Sequence, residues 1–240
     1  MTLQIFHEDS YQRSFSARVT GHDQQNHGII LDQTAFYPGG GGQPSDFGFI
    51  EIADSQIELK GVKKISGKLV HLLPEDMPLP LVDSSLTGHL DWDRRYQLMR
   101  THTAMHILCG TIFRDHGASV TGGNMEPLKG RMDFEFATLQ KEFVQTIEDA
   151  VSLEIKKALP VSWRTIPRDE AFQIPDLIRT KINLLPPAIS EVRVVEITGL
   201  DLQADGGTHV KNTSEVGEVR ITDYKSKGRE NKRIYLEVID

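Results

Sequence analysis

The sequence is poor in the features that mark secreted or membrane proteins. It has a single cysteine, Cys109. No intrachain disulfide can form, no disulfide-linked partner is expected, and a reducing cytoplasm fits. No run of about 18 apolar residues occurs, which argues against a spanning helix and a membrane partner. The start, "MTLQIFHEDSYQRS", lacks the charged head and apolar centre of a secretion signal. Positive charge is also scarce: 27 Lys and Arg stand against 34 Asp and Glu, for a net charge of −7. Bulk charge therefore disfavours nucleic-acid binding. One stretch departs from this. "DYKSKGRENKRIY" (Asp223–Tyr235) carries five positive residues, Lys225, Lys227, Arg229, Lys232 and Arg233, against Asp223 and Glu230. It reads as a solvated loop and strand edge, or as a local basic patch.

A chain of 240 residues can hold one large domain or two modest ones. Up to residue 88 it reads as short strands, "SARVT", "HGIILD", "FGFIEIA", "QIELKGVKK" and "KLVHLL", separated by turn residues. No long helical pattern interrupts them, so a small β-barrel or sandwich is expected for 1–88. "PEDMPLPLVDSS" (Pro74–Ser85), with three prolines, reads as a linker. From 89 to 240 the pattern changes. Asp91 or Asp93 can cap a helix running to about Phe113, with Gly117 beyond its end. Gly-rich "TGGNMEPLKG" precedes "RMDFEF", where Met132, Phe134 and Phe136 alternate onto one face. A second helix is expected from near Thr138, with Leu139, Phe143, Val144, Ile147 and Val151 at spacings of three and four, ended by Pro160. "VSWRTIP" reads as a strand, "RDEAFQI" as a short helix, and "EVRVVEIT", "VGEVRITDY" and "RIYLEVI" as strands. The fold class is α+β: a β-barrel, then a two-layer α/β domain with a largely antiparallel sheet.

Three features carry candidate chemistry. His102 and His106 are spaced i, i+4, so on a helix both project from one face and can share a Zn²⁺. The same spacing also suits two unrelated helix histidines. A zincin-type peptidase needs Glu after the first histidine, and Thr103 stands there. The second feature is "DGGTH". Its glycines let the chain fold back, so that Asp205 and His209 can aim at one point, or they make an ordinary turn before a strand. The third is "DQTAFYPGGGGQPSDFG" (Asp32–Gly48). Four successive glycines, Gly39, Gly40, Gly41 and Gly42, permit close backbone approach to a ligand or a flexible hairpin. A nucleotide phosphate loop would need Lys-Ser/Thr and a following helix, and neither is present.

In order and spacing, "TAFYPGGGGQPSDFG", "RTHTAMHIL", "GGNMEPLKGRMDFEF" and "DGGTHVKNTSEVGEVRI" resemble the editing region of alanyl-tRNA synthetase. More closely they are similar to the free-standing AlaX-type editing proteins, over nearly the whole chain and with the length of the medium-sized members. The resemblance implies a barrel bearing the glycine-rich motif, followed by the editing fold shared with threonyl-tRNA synthetase. It implies hydrolysis of the ester of tRNA(Ala) mischarged with serine, and in many cases glycine, with the tRNA(Ala) acceptor end as partner. It places His102, His106 and His209 on zinc-ligand positions, Thr34 on the position sensing the serine hydroxyl, and Gln43 on one linked to editing. The family's last motif usually opens with cysteine, and here Asp205 replaces it. A carboxylate also binds Zn²⁺, but as a harder ligand, which admits another divalent metal. Cys109, seven residues beyond His102, lies about 10 Å along the helix and reads as a packing residue rather than a substitute ligand.

On this reading backbone N–H groups of Gly39–Gly42, Gly206 and Gly207, next to Thr208, are candidates for stabilising an oxyanion. The five cations of the basic stretch, with Arg94 and Arg95, are candidates for acceptor-stem phosphates. The competing reading is a non-catalytic, metal-stabilised tRNA-binding module whose editing was lost with the cysteine.

Overall fold

A computed structural model describes residues 2–53, 55–136, 140–179 and 189–239. The chain forms two compact units, Met1–Gln97 and Leu98–Asp240. In the first unit the elements run β1 (Leu3–Gln4), α1 (Ile5–Glu8), β2 (Ser14–Asp23), β3 (Gly28–Leu31), β4 (Gln33–Thr34), β5 (Gly48–Ile52), β6 (Ser55–Glu58), β7 (Gly61–Ile65), β8 (Lys68–Leu72) and β9 (Ser85–Leu90). Strand β2 shows why this sequence makes a sheet. Phe15, Ala17 and Val19 are buried, while Ser14, Ser16, Arg18 and Thr20 between them face water, the period of two that a one-sided sheet needs. The buried set joins Ile29, Leu31, Phe36, Ile50 and Leu86 in one core.

Seven strands form one antiparallel sheet in the order β6-β5-β9-β2-β3-β8-β7. Its end strands, β6 and β7, are not paired with each other among the described residues. The small barrel expected from the sequence is therefore not seen: among the described residues the strands form an open sheet. "QIELKGVKK", read as one run, is broken between β6 and β7. "PEDMPLPLVDSS" joins β8 to β9 without strand or helix until Ser85.

The helix α2 (Trp92–His116) begins where Asp91 Oδ1 accepts the Arg94 N–H at 3.1 Å, so Asp91 is its capping residue. It ends three residues later than the sequence suggests, at His116. Gly117 follows with φ +66°, the left-handed stop that glycine adopts without strain. The second unit continues with β10 (Val120–Glu126), β11 (Lys129–Glu135), α3 (Lys141–Lys156), β12 (Val161–Pro167), α4 (Arg168–Ala171), β13 (Glu191–Ile197), β14 (Asp201–Ala204), a 3-10 turn at Thr213–Val216, β15 (Glu218–Ser226) and β16 (Asn231–Ile239). Two antiparallel sheets result, ordered β10-β11-β16-β15 and β12-β13-β14.

Several local expectations shift. Within the Gly-rich stretch, "TGGNME" makes most of β10, paired with β11 as a hairpin. Thr138 and Leu139, expected at the start of the second helix, lie outside the described residues; α3 is seen from Lys141 and buries Val144, Ile147, Val151 and Ile155. The helix at "RDEAFQI" is a single turn, α4. Strand β14 lies just before the "DGGTH" turn, in a segment for which the sequence suggests no element. No described helix is long and apolar enough to cross a membrane.

Candidate metal centre

Helix α2 is buried without a break from Leu98 to Ile112. Such a helix would normally be apolar all round. This one buries Arg100, Thr101, His102, Thr103, His106 and Thr111 as well. Buried polar side chains need partners, so they are the informative residues. His102 and His106, one turn apart, have ring centroids 5.1 Å apart. The segment after β14 crosses this face. Val210 N–H donates to Thr103 Oγ1 at 3.2 Å. The guanidinium of Arg193 on β13 donates through Nη1 to the carbonyls of Asp205 and Gly207, each at 3.0 Å. Gly207 N–H donates to Asp205 Oδ1 at 2.6 Å. The turn and its carboxylate are therefore fixed from both sides.

As a result, one ligand atom from each of His102, His106, Asp205 and His209 lies within 4.8 Å of all the others. Asp205 Oδ2 is 3.4 Å from His102 Nε2 and 3.8 Å from His106 Nε2, and Oδ1 is 3.8 Å from His209 Nε2. Ligands about 2.1 Å from a tetrahedral Zn²⁺ are themselves about 3.4 Å apart, so the set needs little contraction to close on an ion. His209 has no exposed surface, and neither of its ring nitrogens has a hydrogen-bond partner among the described residues. A fully buried imidazole with no partner is costly unless something else binds it. The residues present thus fit a divalent metal.

The electrostatics agree. Burial holds the His209 pKa well below its ordinary value, and the neighbouring His102 and His106 push it further the same way, so it is a neutral donor. Burial alone would raise the Asp205 pKa, but His102, His106 and His209 outweigh it and keep the carboxyl ionised, well below its usual range. Burial also opposes charge on His106, yet the Asp201 and Asp205 carboxylates overcome it and raise that pKa to about 9. The cluster by itself therefore holds a proton on His106 beside an ionised carboxylate, a place that a cation can take.

Asp201 is not among the residues the sequence singles out. It lies on β14, 4% exposed, and its Oδ2 is 2.8 Å from His106 Nδ1. Gln203 Nε2 donates to the same oxygen at 2.7 Å and to Cys109 Sγ at 3.3 Å. A carboxylate on Nδ1 would leave the Nε2 lone pair free to bind a metal ion. Gly110 makes room for this. A Cβ on Gly110 would meet Asp201 Cβ and the Leu200 carbonyl, both at 2.9 Å, so only glycine lets α2 approach β14 this closely. A signal for Asp201 does exist: Asp201, Gln203 and Asp205 recur at a period of two around Leu202 and Ala204, a polar strand face. Cys109 is buried beside Gln203 and outside the ligand set, with burial pushing its thiol pKa up.

The other sequence candidates fall as follows. Thr34 has no exposed surface, and its Oγ1 is 2.9 Å from His71 Nε2. Phe36 N–H donates to Thr34 Oγ1 at 3.1 Å. Gly39, Gly40, Gly41 and Gly42 all have positive φ, from +58° to +141°. Gly40 and Gln43 exchange backbone hydrogen bonds at 3.0 and 2.9 Å, and Gln43 is 2% exposed. Thr208 is buried in the second unit beside His209. Lys225, Lys227 and Arg229 are exposed, with Lys225 paired to Asp223 at 3.0 Å. Lys232 and Arg233 turn inward. Lys232 Nζ caps the carbonyls of Gly228 and Arg229, and Arg233 makes a two-point contact with Asp133 at 2.6 and 2.7 Å. Arg94 lies over the Phe47 ring, and Arg95 is fully buried.

Residues 192–235 match the second additional domain of threonyl and alanyl tRNA synthetases, and residues 6–94 match the class II (A) tRNA synthetases. The chain thus falls in a class defined by tRNA synthetase domains. It is 39% identical to the alanyl-tRNA editing protein AlaX-M of Saccharolobus solfataricus over 99% of both chains, and 35% identical to that of Methanosarcina acetivorans over the full length of both. It also matches the alanine–tRNA ligase of Ignicoccus hospitalis, 37% identical over 92% of this chain and 24% of the ligase. The chain belongs to the AlaX-type alanyl-tRNA editing proteins.

Proposed function

We propose that this protein hydrolyses, in trans, the ester of misacylated tRNA(Ala), above all Ser-tRNA(Ala) and also Gly-tRNA(Ala), in the cytoplasmic tRNA pool. The observation that carries this reading is the four-residue ligand cluster, with its unpartnered buried His209, in a chain that aligns end to end with AlaX-M proteins. His102, His106, Asp205 and His209 are the metal residues, and Zn²⁺ is the ion their N and O donors suit. When bound, it supplies positive charge that polarises the ester or orients its amino acid. Asp201 holds His106 in one tautomer, while Arg193 and the Gly207 amide hold Asp205.

Gly40 and Gly207 spend their N–H groups internally. The amides of Gly39, Gly41, Gly42 and Gly206 remain as candidates for the oxyanion. We assign serine recognition to Thr34 and an editing role to Gln43, and divide the chain into a functional half 1–88 with the glycine-rich motif and a metal-binding half 89–240. Thr34 has no exposed surface, so a serine hydroxyl meets it only after the adjoining glycine-rich loop moves, and four glycines give that loop the freedom. Within the basic stretch the exposed cations Lys227 and Arg229, with Lys225 beside Asp223, are the candidates for acceptor-end phosphates.

The test is deacylation of Ser-, Gly- and Ala-tRNA(Ala), with and without chelator, by the wild type and Asp205→Ala. Hydrolysis of the serine ester that chelation and Asp205→Ala both abolish supports the metal-dependent deacylase. Binding of tRNA(Ala) without hydrolysis by metal-replete protein overturns it in favour of a non-catalytic binding module.

A further inference from the structure

We propose that Arg95 and Asp46 act as positioning residues for the glycine-rich loop, clamping both of its ends without touching tRNA; the inference rests on the deacylase reading above. Charge alone groups Arg95 with the phosphate-binding cations. It is instead the largest fully buried side chain in the described structure, so no phosphate reaches it.

Each nitrogen of its guanidinium donates to a loop or chain acceptor. Nε donates to both carboxylate oxygens of Asp46 at 2.9 and 3.0 Å, and Nη2 makes a further close contact with Oδ2. Nη2 also donates to the Ala35 carbonyl at 2.6 Å, and Nη1 to the Ser10 carbonyl at 3.0 Å. Ala35 follows Thr34, and Asp46 stands three residues past Gln43. One side chain thus grips the loop at entry and exit. Asp46 closes the loop on itself as well. Its Oδ2 accepts the Tyr37 N–H at 2.6 Å, and its own N–H donates to the Tyr37 carbonyl at 3.0 Å. Inside that closure the Tyr37 hydroxyl donates to the Gly40 carbonyl at 3.0 Å.

Such a clamp answers a specific need. Four consecutive glycines lose more conformational entropy on ordering than any other residues, and they have no side chains to hold them. Their placement must come from the loop's ends. A planar guanidinium presents its donors in a rigid fork that matches a carboxylate and two carbonyls together. Lysine keeps the charge and loses the fork.

The experiment compares Arg95→Lys, Arg95→Met and the double variant Arg95→Met/Asp46→Asn in the full, metal-loaded protein. Removing one buried charge is strongly destabilising, whereas neutralising both is often tolerated. The Asp46→Asn change also keeps an acceptor for the Tyr37 N–H. The double variant should therefore regain most of the thermal midpoint that Arg95→Met loses. Its kcat for Ser-tRNA(Ala) should stay low, by roughly 10–100-fold, with KM little changed. Amide hydrogen exchange across residues 35–46 should speed up in Arg95→Lys and in the double variant. Recovery of kcat along with the midpoint overturns the proposal, because the pair would then be only structural. A raised KM with unchanged kcat overturns it in favour of a tRNA contact. A wild type inactive on every misacylated tRNA(Ala) overturns the deacylase reading, while unchanged loop exchange in Arg95→Lys overturns the clamp on its own.

Discussion

His106 Nδ1 lies 2.8 Å from Asp201 Oδ2, inside a protein in which both side chains are shut off from water. That contact decides which nitrogen of His106 faces the other three ligands. Asp201→Asn keeps the shape but can present an amide N–H to Nδ1, which drives the ring proton onto Nε2. Metal affinity should fall roughly 10–100-fold, read by competition with a chromophoric chelator. Wild-type affinity in a folded Asp201→Asn protein would contradict the role given to this contact.

Asp205 offers the test of what a carboxylate does where the resemblance leads to the expectation of a thiolate. Asp205→Cys replaces a hard oxygen with a soft sulfur, so preference should move toward Zn²⁺ and away from oxygen-seeking ions such as Mn²⁺. Competitive loading of the two proteins, read by elemental analysis, checks this. An unchanged ratio would mean that Asp205 is not a ligand.

Thr34→Val removes a hydroxyl and nearly conserves volume. If that hydroxyl reads the substrate, the Ser/Ala ratio of kcat/KM should fall about tenfold, the worth of one hydrogen bond. Deacylation of both charged tRNAs at wild-type rates would sink the assignment.

His71 gives a pH prediction. Burial lowers its pKa from 6.5 to about 4, the Ile29 carbonyl opposing only in part, so in the folded protein it is neutral. The unfolded chain protonates below pH 6.5 and the folded one does not. Its contribution is therefore complete above pH 6.5 and is lost as pH falls through 4, amounting to about 3 kcal/mol. Urea unfolding at pH 7 and pH 4 should show the wild type losing that much more than His71→Phe. Equal losses would mean that His71 is not kept neutral.

The basic stretch should divide into two groups. Lys227→Ala and Arg229→Ala should each weaken tRNA binding and lower the salt slope by about one. Lys232→Ala should instead lower the thermal midpoint, because its ammonium caps two carbonyls of its own loop. A slope moved equally by all three would restore a uniform phosphate-binding patch.

Much of this was legible in the residues themselves. The alternation of Met132, Phe134 and Phe136 marked β11, and all three are buried. The i, i+4 histidines placed two imidazoles on one face of a helix, and the Asp205 and His209 turn supplied the rest of the cluster. These are local signals, because the periods of strand and helix are properties of the backbone. The order of the four motifs carried the family.

Tertiary structure alone decided which charges look inward. Counting lysines and arginines cannot tell that Arg95 is consumed by Asp46, 49 residues away, or that Arg233 is consumed by Asp133, 100 residues away. Likewise Asp201 joined the histidine cluster only when β14 came against α2, at a sequence separation of 95 from His106. Periodicity fixes the face on which a side chain stands. What that face meets depends on contacts between distant segments, and for a buried charge the partner it meets determines its role.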